Sequence, residues 1–387
     1  MSEAPRVLLL LAPGREFSRG LRRGIVEYAT KHGPWILLEP EPSYVRAPTA
    51  RGHLHGLHKL GADGVIVSAS LRKQIGALRL PAVVAVETER RLRRGYQVVC
   101  DNEAIGSLGA KTLLGLGLQQ FAYCGWGTLE FSVQRLEGFR RTLEDFDRPV
   151  YIYDSAPREA ASSWHAETLR LARWVTSIPK PIGVMACNDD RARMLAEICL
   201  MEHITVPDEV ALLGVDDDES ICKSARPALS SIALATEQAG YEAAGLLAAI
   251  MAGSKPATPS VKVAPTHAVA RRSTDVLAIE DLHVGRALRY IRENSNRKLQ
   301  VADLLAVSGV SRRALQDAFL KALGRTPLEE IHNSRVVYIA RLLVETDLPV
   351  SKIAEAAGFA IDAHLSRFFA RRAGMSPLAY RKKHRIS

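Results

Sequence analysis

Short apolar runs alternate with amphipathic stretches along the first 275 residues, and these two patterns predict strands and helices in repeated βαβ units. The predicted strands are Val7–Leu11, Trp35–Glu39, Gly64–Val67, Ala82–Val86, Phe121–Cys124, Val150–Tyr153, Gly183–Ala186 and Val210–Gly214. Helical patterns fill Ser18–Lys31, Glu103–Leu116, Val133–Asp145, Ser163–Ser177 and Arg191–Met201. Strands alternating with helices give parallel sheets, and so many strands are too many for one. A division near Val99–Asn102 yields two similar α/β lobes. Ligands of such folds bind at the carboxyl ends of the strands, so a cleft between the lobes is expected.

The character of the chain changes after Ala257-Thr-Pro-Ser and Arg271-Arg-Ser-Thr-Asp275; from Glu280 onward the pattern is purely helical. The reading is a two-lobed domain over 1–275 followed by an all-α domain over 276–387. Two segments of the second part share one grammar. Val301–Phe319 runs as a short apolar helix, a turn at Gly309, a Ser311 suited to N-capping and a second amphipathic helix. Val350–Phe369 repeats it around Gly358, 49 residues further on. Between them, Pro327–Thr346 reads as one long helix with an apolar stripe of Ile331, Val336, Ile339, Leu342 and Leu343. A rigid connector fixes the spacing, and recognition helices about 34 Å apart on one face can enter successive major grooves of one duplex.

Charge falls on the same boundary. The chain of 387 residues has a formal balance of +10, and residues 276–387 carry 19 Lys and Arg against 11 Asp and Glu, a balance of +8. A basic module on a nearly neutral body suits a polyanion, because each neutralised phosphate releases counterions. On the two recognition helices the exposed candidates are Ser311, Arg312, Arg313 and Gln316, then Asp362, His364 and Arg367. Arg can bond guanine bidentately and Gln adenine, while several of these positions could equally touch phosphate. Phe319, Phe359, Phe368 and Phe369 are read as core.

No run of eighteen apolar residues predicts a membrane span, and the first residues lack the basic and apolar regions of a secretory signal, so a cytoplasmic protein is expected. The cysteines at 100, 124, 187, 199 and 222 have no zinc-ribbon or CxxC spacing and read as reduced, buried thiols. No phosphate loop, nucleophile elbow or cofactor fingerprint occurs, so neither a metal, a cofactor nor an enzyme acting on carbohydrate is expected, although paired acids in a cleft could serve as acid and base.

Candidate chemistry lies where predicted strands end. Cys187-Asn188-Asp189-Asp190 follows one strand and Val215-Asp216-Asp217-Asp218 another. Short amide and carboxylate side chains on such loops make paired hydrogen bonds to vicinal hydroxyls, which suits a sugar; Asn188 or Asp189 could instead cap the following helix. The stretch Val184-Met-Ala-Cys-Asn-Asp-Asp-Arg-Ala-Arg, with Val206-Pro-Asp-Glu-Val-Ala-Leu-Leu-Gly-Val-Asp-Asp and Pro227-Ala-Leu-Ser-Ser-Ile, resembles the effector domain of the lactose/galactose repressor family over about residues 6–272. That resemblance implies that Asn188 or Asp189, together with Asp216, bonds sugar hydroxyls, and that Arg135 reaches into the cleft from a helix start, a surface salt bridge being the alternative. From the first lobe it implies the loop Gly14–Arg19, where Phe17 stacks on a pyranose or is core, beside Ser18.

Members of that family carry DNA-binding helices ahead of the sugar domain, whereas here the reader of DNA falls at the other end. With Gly358-Phe359, Phe368-Phe369 and Gly374-Met-Ser-Pro377, residues 282–384 resemble the AraC-type DNA-binding domain. Ala360, Ile361 and Leu365 depart from the family's usual residues, which shifts the second unit toward backbone contacts. The combined arrangement, with Arg271-Arg-Ser-Thr-Asp275 and Asp189-x-Arg191-Ala-Arg193, resembles AraC-type regulators that answer to a pentose. It implies a dimeric activator with double-stranded operator DNA, RNA polymerase and a pentose, xylose first, as partners, and no membrane; another sugar, or repression, is the alternative. A sugar-uptake binding protein would need export.

Overall fold

The computed structural model describes residues 4–11, 14–39, 60–72, 79–86, 95–153, 164–275 and 281–384. The chain opens with β1 (Arg6–Leu10), α1 (Glu16–His32), β2 (Ile36–Leu38), β3 (Gly64–Ser68), β4 (Ala82–Val86) and β5 (Tyr96–Cys100). It continues as α2 (Asn102–Leu114), β6 (Phe121–Cys124), α3 (Glu130–Glu144), β7 (Val150–Tyr153), α4 (Trp164–Ser177) and β8 (Ile182–Ala186). Then come α5 (Asp189–Met201), β9 (Val210–Val215), α6 (Glu219–Ser224), β10 (Ser230–Leu234), α7 (Thr236–Met251), β11 (Ser260–Val263) and β12 (Pro265–Val269). Seven helices close the chain: α8 (Leu282–Glu293), α9 (Val301–Ser308), α10 (Arg312–Leu323), α11 (Pro327–Glu345), α12 (Val350–Ala356), α13 (Asp362–Ala373) and α14 (Pro377–His384).

Two compact units result, one from residues up to Asp101 with Ala235–Ala264, the other from Asn102–Leu234 and the chain from Pro265 on. Each contains a six-stranded sheet, ordered β11-β5-β4-β3-β1-β2 in the first and β12-β10-β9-β8-β6-β7 in the second. All pairings are parallel except β10 with β12. Continuous apolar runs explain the centres: every residue of β8 and β9 is buried, as expected of parallel strands covered on both faces.

The expected division near Val99–Asn102 falls at Asp101/Asn102. Four strands, β5, β10, β11 and β12, and the helices α6 and α7 lie outside the elements read from sequence. The edge strands β11 and β12 hold Lys262, Pro265, Thr266 and His267 in place of an apolar run. β10 starts with Ser230 and Ser231, whose buried hydroxyls pair with Thr274 and Asp189. The end of the predicted loop at Gly14–Arg19 is helical, since α1 starts at Glu16. Ser163 and residues 276–280, at a predicted helix start and at the expected domain boundary, lie outside the described residues.

The closing helices form two cores. Val284, Leu288, Leu304, Leu315, Phe319 and Ile331 make the first; Ile339, Leu343, Ile353, Leu365 and Phe369 make the second. One connecting helix, α11, supplies both. At about 1.5 Å per residue its 19 residues span about 28 Å. A capping box starts it: Thr326 N donates to Glu329 at 2.7 Å and Glu329 N donates to the Thr326 hydroxyl at 3.2 Å.

Candidate functional site

Helices α2 and α3 set the site because they approach more closely than side chains permit. A Cβ on Gly106 would lie 2.0 Å from the Arg135 carbonyl, and one on Gly138 would lie 2.0 Å from the Glu103 carbonyl. That contact delivers Arg135, 3% exposed, into a polar nest. Its Nε donates to Asn102 Oδ1 at 3.0 Å, Nη1 donates to the Cys187 carbonyl, and Nη2 lies 3.7 Å from Asp216 Oδ1. Asn102 in turn donates to Gln134 Oε1 at 2.9 Å. The guanidinium also lies 5.1 Å from the Phe131 ring. Arg135 is thus a buried cation with a carboxylate beside it, not a surface salt bridge.

The loops after β8 and β9 bring the remaining groups to it. Asn188 caps α5, its Oδ1 accepting from Arg191 N at 3.0 Å. Asp189 is enclosed: Oδ2 accepts from Asp218 N at 2.7 Å and Oδ1 from the Ser231 hydroxyl at 2.6 Å. Burial, and then the neighbouring Asp216, push its carboxyl well above the usual carboxylate range. Gly214 makes room for it, since a Cβ there would lie 2.1 Å from Asp189 Oδ1. Asp216 and Asp217 have φ of 103° and 53°, a left-handed backbone that costs non-glycine residues energy and recurs at functional loops. Asp217 is held by Arg271 at 2.7 Å, and its N–H donates to Ser231 at 3.0 Å. Burial raises the Asp217 pKa, against the opposing pull of Arg271.

The structure therefore brings Arg135, Asn188 and Asp216 together in one unit, while both oxygens of Asp189 accept from the protein itself. Phe17 and Ser18 belong to the first unit, each 6% exposed on the opening turn of α1.

Both helix pairs read as DNA-binding units are present. Gly309 ends α9 at φ 70°, where a Cβ would be strained, and Ser311 caps α10 by accepting from Ala314 N at 3.3 Å. Ser311, Arg312, Arg313 and Gln316 are exposed on α10 while Leu315 and Phe319 point into the core. On α13, Asp362, His364 and Arg367 are exposed and Leu365 and Phe369 are buried. Arg335 on α11 locks the second turn: its Nε donates to the Ala357 carbonyl at 2.8 Å and its guanidinium lies 3.8 Å from the Phe359 ring centre.

Comparison with known proteins matches both halves of this description. Residues 110–274 match the periplasmic binding protein-like domain family, and residues 304–383 a helix-turn-helix domain family. The xylose operon regulatory protein of Haemophilus influenzae is 27% identical, with 97% of this chain and 98% of that protein covered. The protein of the same name from Escherichia coli K12 is 26% identical over 97% and 96%. The chain is a transcription regulator that joins a periplasmic binding protein-like domain to a helix-turn-helix domain. Its fold is that of the solved xylose-binding transcription activator xylR, at a TM-score of 0.62, 24% identity and full coverage of both chains.

The regulator is thus kin to regulators, not to enzymes. Among the described residues no helix is long and apolar enough to cross a membrane, and no group of three or more His, Cys, Asp or Glu could hold a metal. All five cysteines are buried and free, and burial pushes the Cys187 thiol up to about 12. Sequence reasoning missed Asn102 and Gln134, although Asp101-Asn102 is a short polar pair following a strand, the same signal that found Asn188 and Asp216. It also missed Arg191, wholly buried, 2.7 Å from Glu167 and about 5 Å from the rings of Trp126 and Tyr153. That cation fixes the Gly125–Gly127 loop at the end of β6, and nothing in the spacing of Trp126 and Arg191 announces it.

Proposed function

We propose that the regulator is a sugar-responsive activator of a pentose operon, with D-xylose as effector. The domain boundaries are taken as 1–275 for the sugar-binding part and 276–387 for the DNA-binding part. The observation that carries the reading is the convergence of Arg135, Asn188 and Asp216 on strand ends, where a cation, an amide and a carboxylate offer donors and acceptors to neighbouring hydroxyls. Asp189 then acts chiefly as the brace of the Asp216–Asp218 turn. Relatives named for the xylose operon support the pentose.

In this reading sugar binds one arrangement of the two units better than the other, the only way occupancy can shift a population. The shift alters how a dimer presents its helices to adjacent half-sites of an operator and recruits RNA polymerase in the cytoplasm. Ser311, Arg312, Arg313, Gln316, Asp362, His364 and Arg367 contact the duplex, and the second unit leans toward backbone contacts.

A thermal-shift panel of D-xylose, L-arabinose, D-ribose, D-glucose and D-galactose tests it. A ligand at 100 times its dissociation constant adds about 2.7 kcal/mol of stability. A clear rise with D-xylose is expected; a flat panel would overturn the sugar assignment.

A further inference from the structure

The second unit holds the sugar-site strands and the DNA-binding helices together, and named hydrogen bonds link them. Tyr380 on α14 donates its hydroxyl to the Thr266 carbonyl at 2.7 Å. Glu345, the last residue of α11, pairs with His267 Nε2 at 3.1 Å, and that imidazole is 4% exposed. Both partners lie on β12, which starts at the residue where the chain re-enters this unit. The Thr266 hydroxyl donates to the Ala233 carbonyl at 3.1 Å, on the adjacent strand β10. At the other end of β12, Arg271 N donates to the Ser230 hydroxyl at 2.7 Å while the Arg271 guanidinium holds Asp217, the neighbour of Asp216. Near the opposite end of α11, Arg325 donates to the Gly115 carbonyl at 3.3 Å, just after α2.

We propose that Thr266 and His267, gripped by Tyr380 and Glu345, form the coupling joint between the sugar loop and the second helix-turn-helix unit. The joint deepens the sugar-response reading above and rests on it. A change at Asp216–Asp217 moves Arg271 and with it β12, and β12 carries the end of α11 and α14, which belong to the second core. The four residues touch neither sugar nor DNA in this scheme; they position.

The test uses the full-length protein with an operator duplex found by footprinting, and compares Tyr380→Phe, Glu345→Ala and Glu345→Gln with the parent. Tyr380→Phe keeps the ring against Phe369 and His384 and removes only the hydroxyl. Allosteric effects on affinity are typically about 5- to 150-fold. The ratio of DNA affinities with and without saturating D-xylose should fall at least about threefold in Tyr380→Phe and Glu345→Ala. D-xylose affinity and sugar-free DNA affinity should stay within about twofold of the parent, and Glu345→Gln, which still accepts from His267, should keep most of the ratio. An unchanged ratio in Tyr380→Phe and Glu345→Ala overturns the joint. Should the parent itself ignore D-xylose, the sugar reading fails, and the joint is judged from the DNA side by reciprocity. Duplex alone should then slow amide exchange at 214–218 and 265–269 in the parent and not in Tyr380→Phe; equal slowing in both overturns it.

Discussion

Arg135 and Asp216 face each other across 3.7 Å, too far for a good hydrogen bond and close enough for an ion pair, with side chains only 4% and 15% exposed. The Arg135 guanidinium is anchored elsewhere, on Asn102 and the Cys187 carbonyl, so its orientation does not depend on Asp216. Asp216→Asn should therefore keep the fold while weakening D-xylose binding at least tenfold, since a charged hydrogen-bonding partner is worth about 1.5–3 kcal/mol. Arg135→Ala should lose both binding and about 1–3 kcal/mol of stability, because it takes the donor away from Asn102 Oδ1 and from the buried Cys187 carbonyl. Calorimetric titration and urea unfolding separate the two effects, and equal affinity for Asp216→Asn and the parent would refute the pairing's role.

Asp189 gives the opposite pattern. Its two oxygens tie β10, through Ser231, to the turn at Asp218, so Asp189→Ala takes the acceptor away from a buried N–H and from a buried hydroxyl. The expected loss is about 2–4 kcal/mol of unfolding free energy, with any binding defect secondary to it. A variant of parental stability that has lost sugar affinity would make Asp189 a direct ligand.

How far the sequence leads is visible in these two acids. Asn188, Asp189 and Asp216 were found because short polar residues follow apolar strands, a pattern local to the chain. Which of them is spent inside the protein depends on Ser231 and Gly214, on other strands, and no local pattern reports that. The same holds for Arg135, whose helix was legible but whose partners Asn102 and Cys187 lie 33 and 52 residues away. The central strands were legible from their apolar runs, while β11 and β12 at the sheet edges carry Lys262 and His267 and look like loop. The double helix-turn-helix was read almost whole because Gly309 and Gly358, Leu315 and Leu365, Phe319 and Phe369 repeat in sequence what repeats in space.

Gly106 should tolerate no side chain. A Cβ 2.0 Å from backbone cannot be accommodated by turning a rotamer, so Gly106→Ala must push α2 from α3 and drag Arg135 with it. Overpacking of this kind costs about 1–3 kcal/mol or more. Gly253→Ala is the control, with nothing within 4 Å and only a positive φ of 82° to strain. The Gly106 variant should lose sugar affinity and the Gly253 variant should keep it, by thermal shift and calorimetry.

His384 makes stability depend on pH. Burial, with Lys383 and His267 nearby, lowers its pKa from 6.5 to about 4. Between those values the unfolded chain binds the proton and the folded one does not, so stability rises with pH across that window. Its contribution is complete above about pH 6.5 and is lost as pH falls toward 4. His332, lowered by burial and by Arg372, acts in the same direction. Urea midpoints measured from pH 7 to 5 should fall, and His384→Gln should flatten that limb relative to the parent. Parallel curves would show that His384 titrates normally.

The two recognition helices should differ in how they hold DNA. Ser311 caps α10 and leaves Arg312 and Arg313 exposed at the positive end of the helix, whereas α13 starts after Ile361 with no side-chain cap and puts Asp362 in its first turn. A cation that neutralises one phosphate contributes about −0.9 to the slope of log affinity against log salt. Arg313 has a side chain 93% exposed and a 4.0 Å contact to Asp317 that water screens, so it is free to do this. Arg313→Ala should reduce the slope by about one per copy with little loss of sequence preference, whereas loss of an arginine bonded to guanine costs about 1–3 kcal/mol on the cognate site alone. Asp362→Asn should do the reverse, raising affinity for unrelated duplex because it removes a negative charge from the first turn of the helix proposed to approach DNA. If instead Asp362→Asn weakens only the operator, the carboxylate accepts from a cytosine amine, and the second helix reads sequence after all.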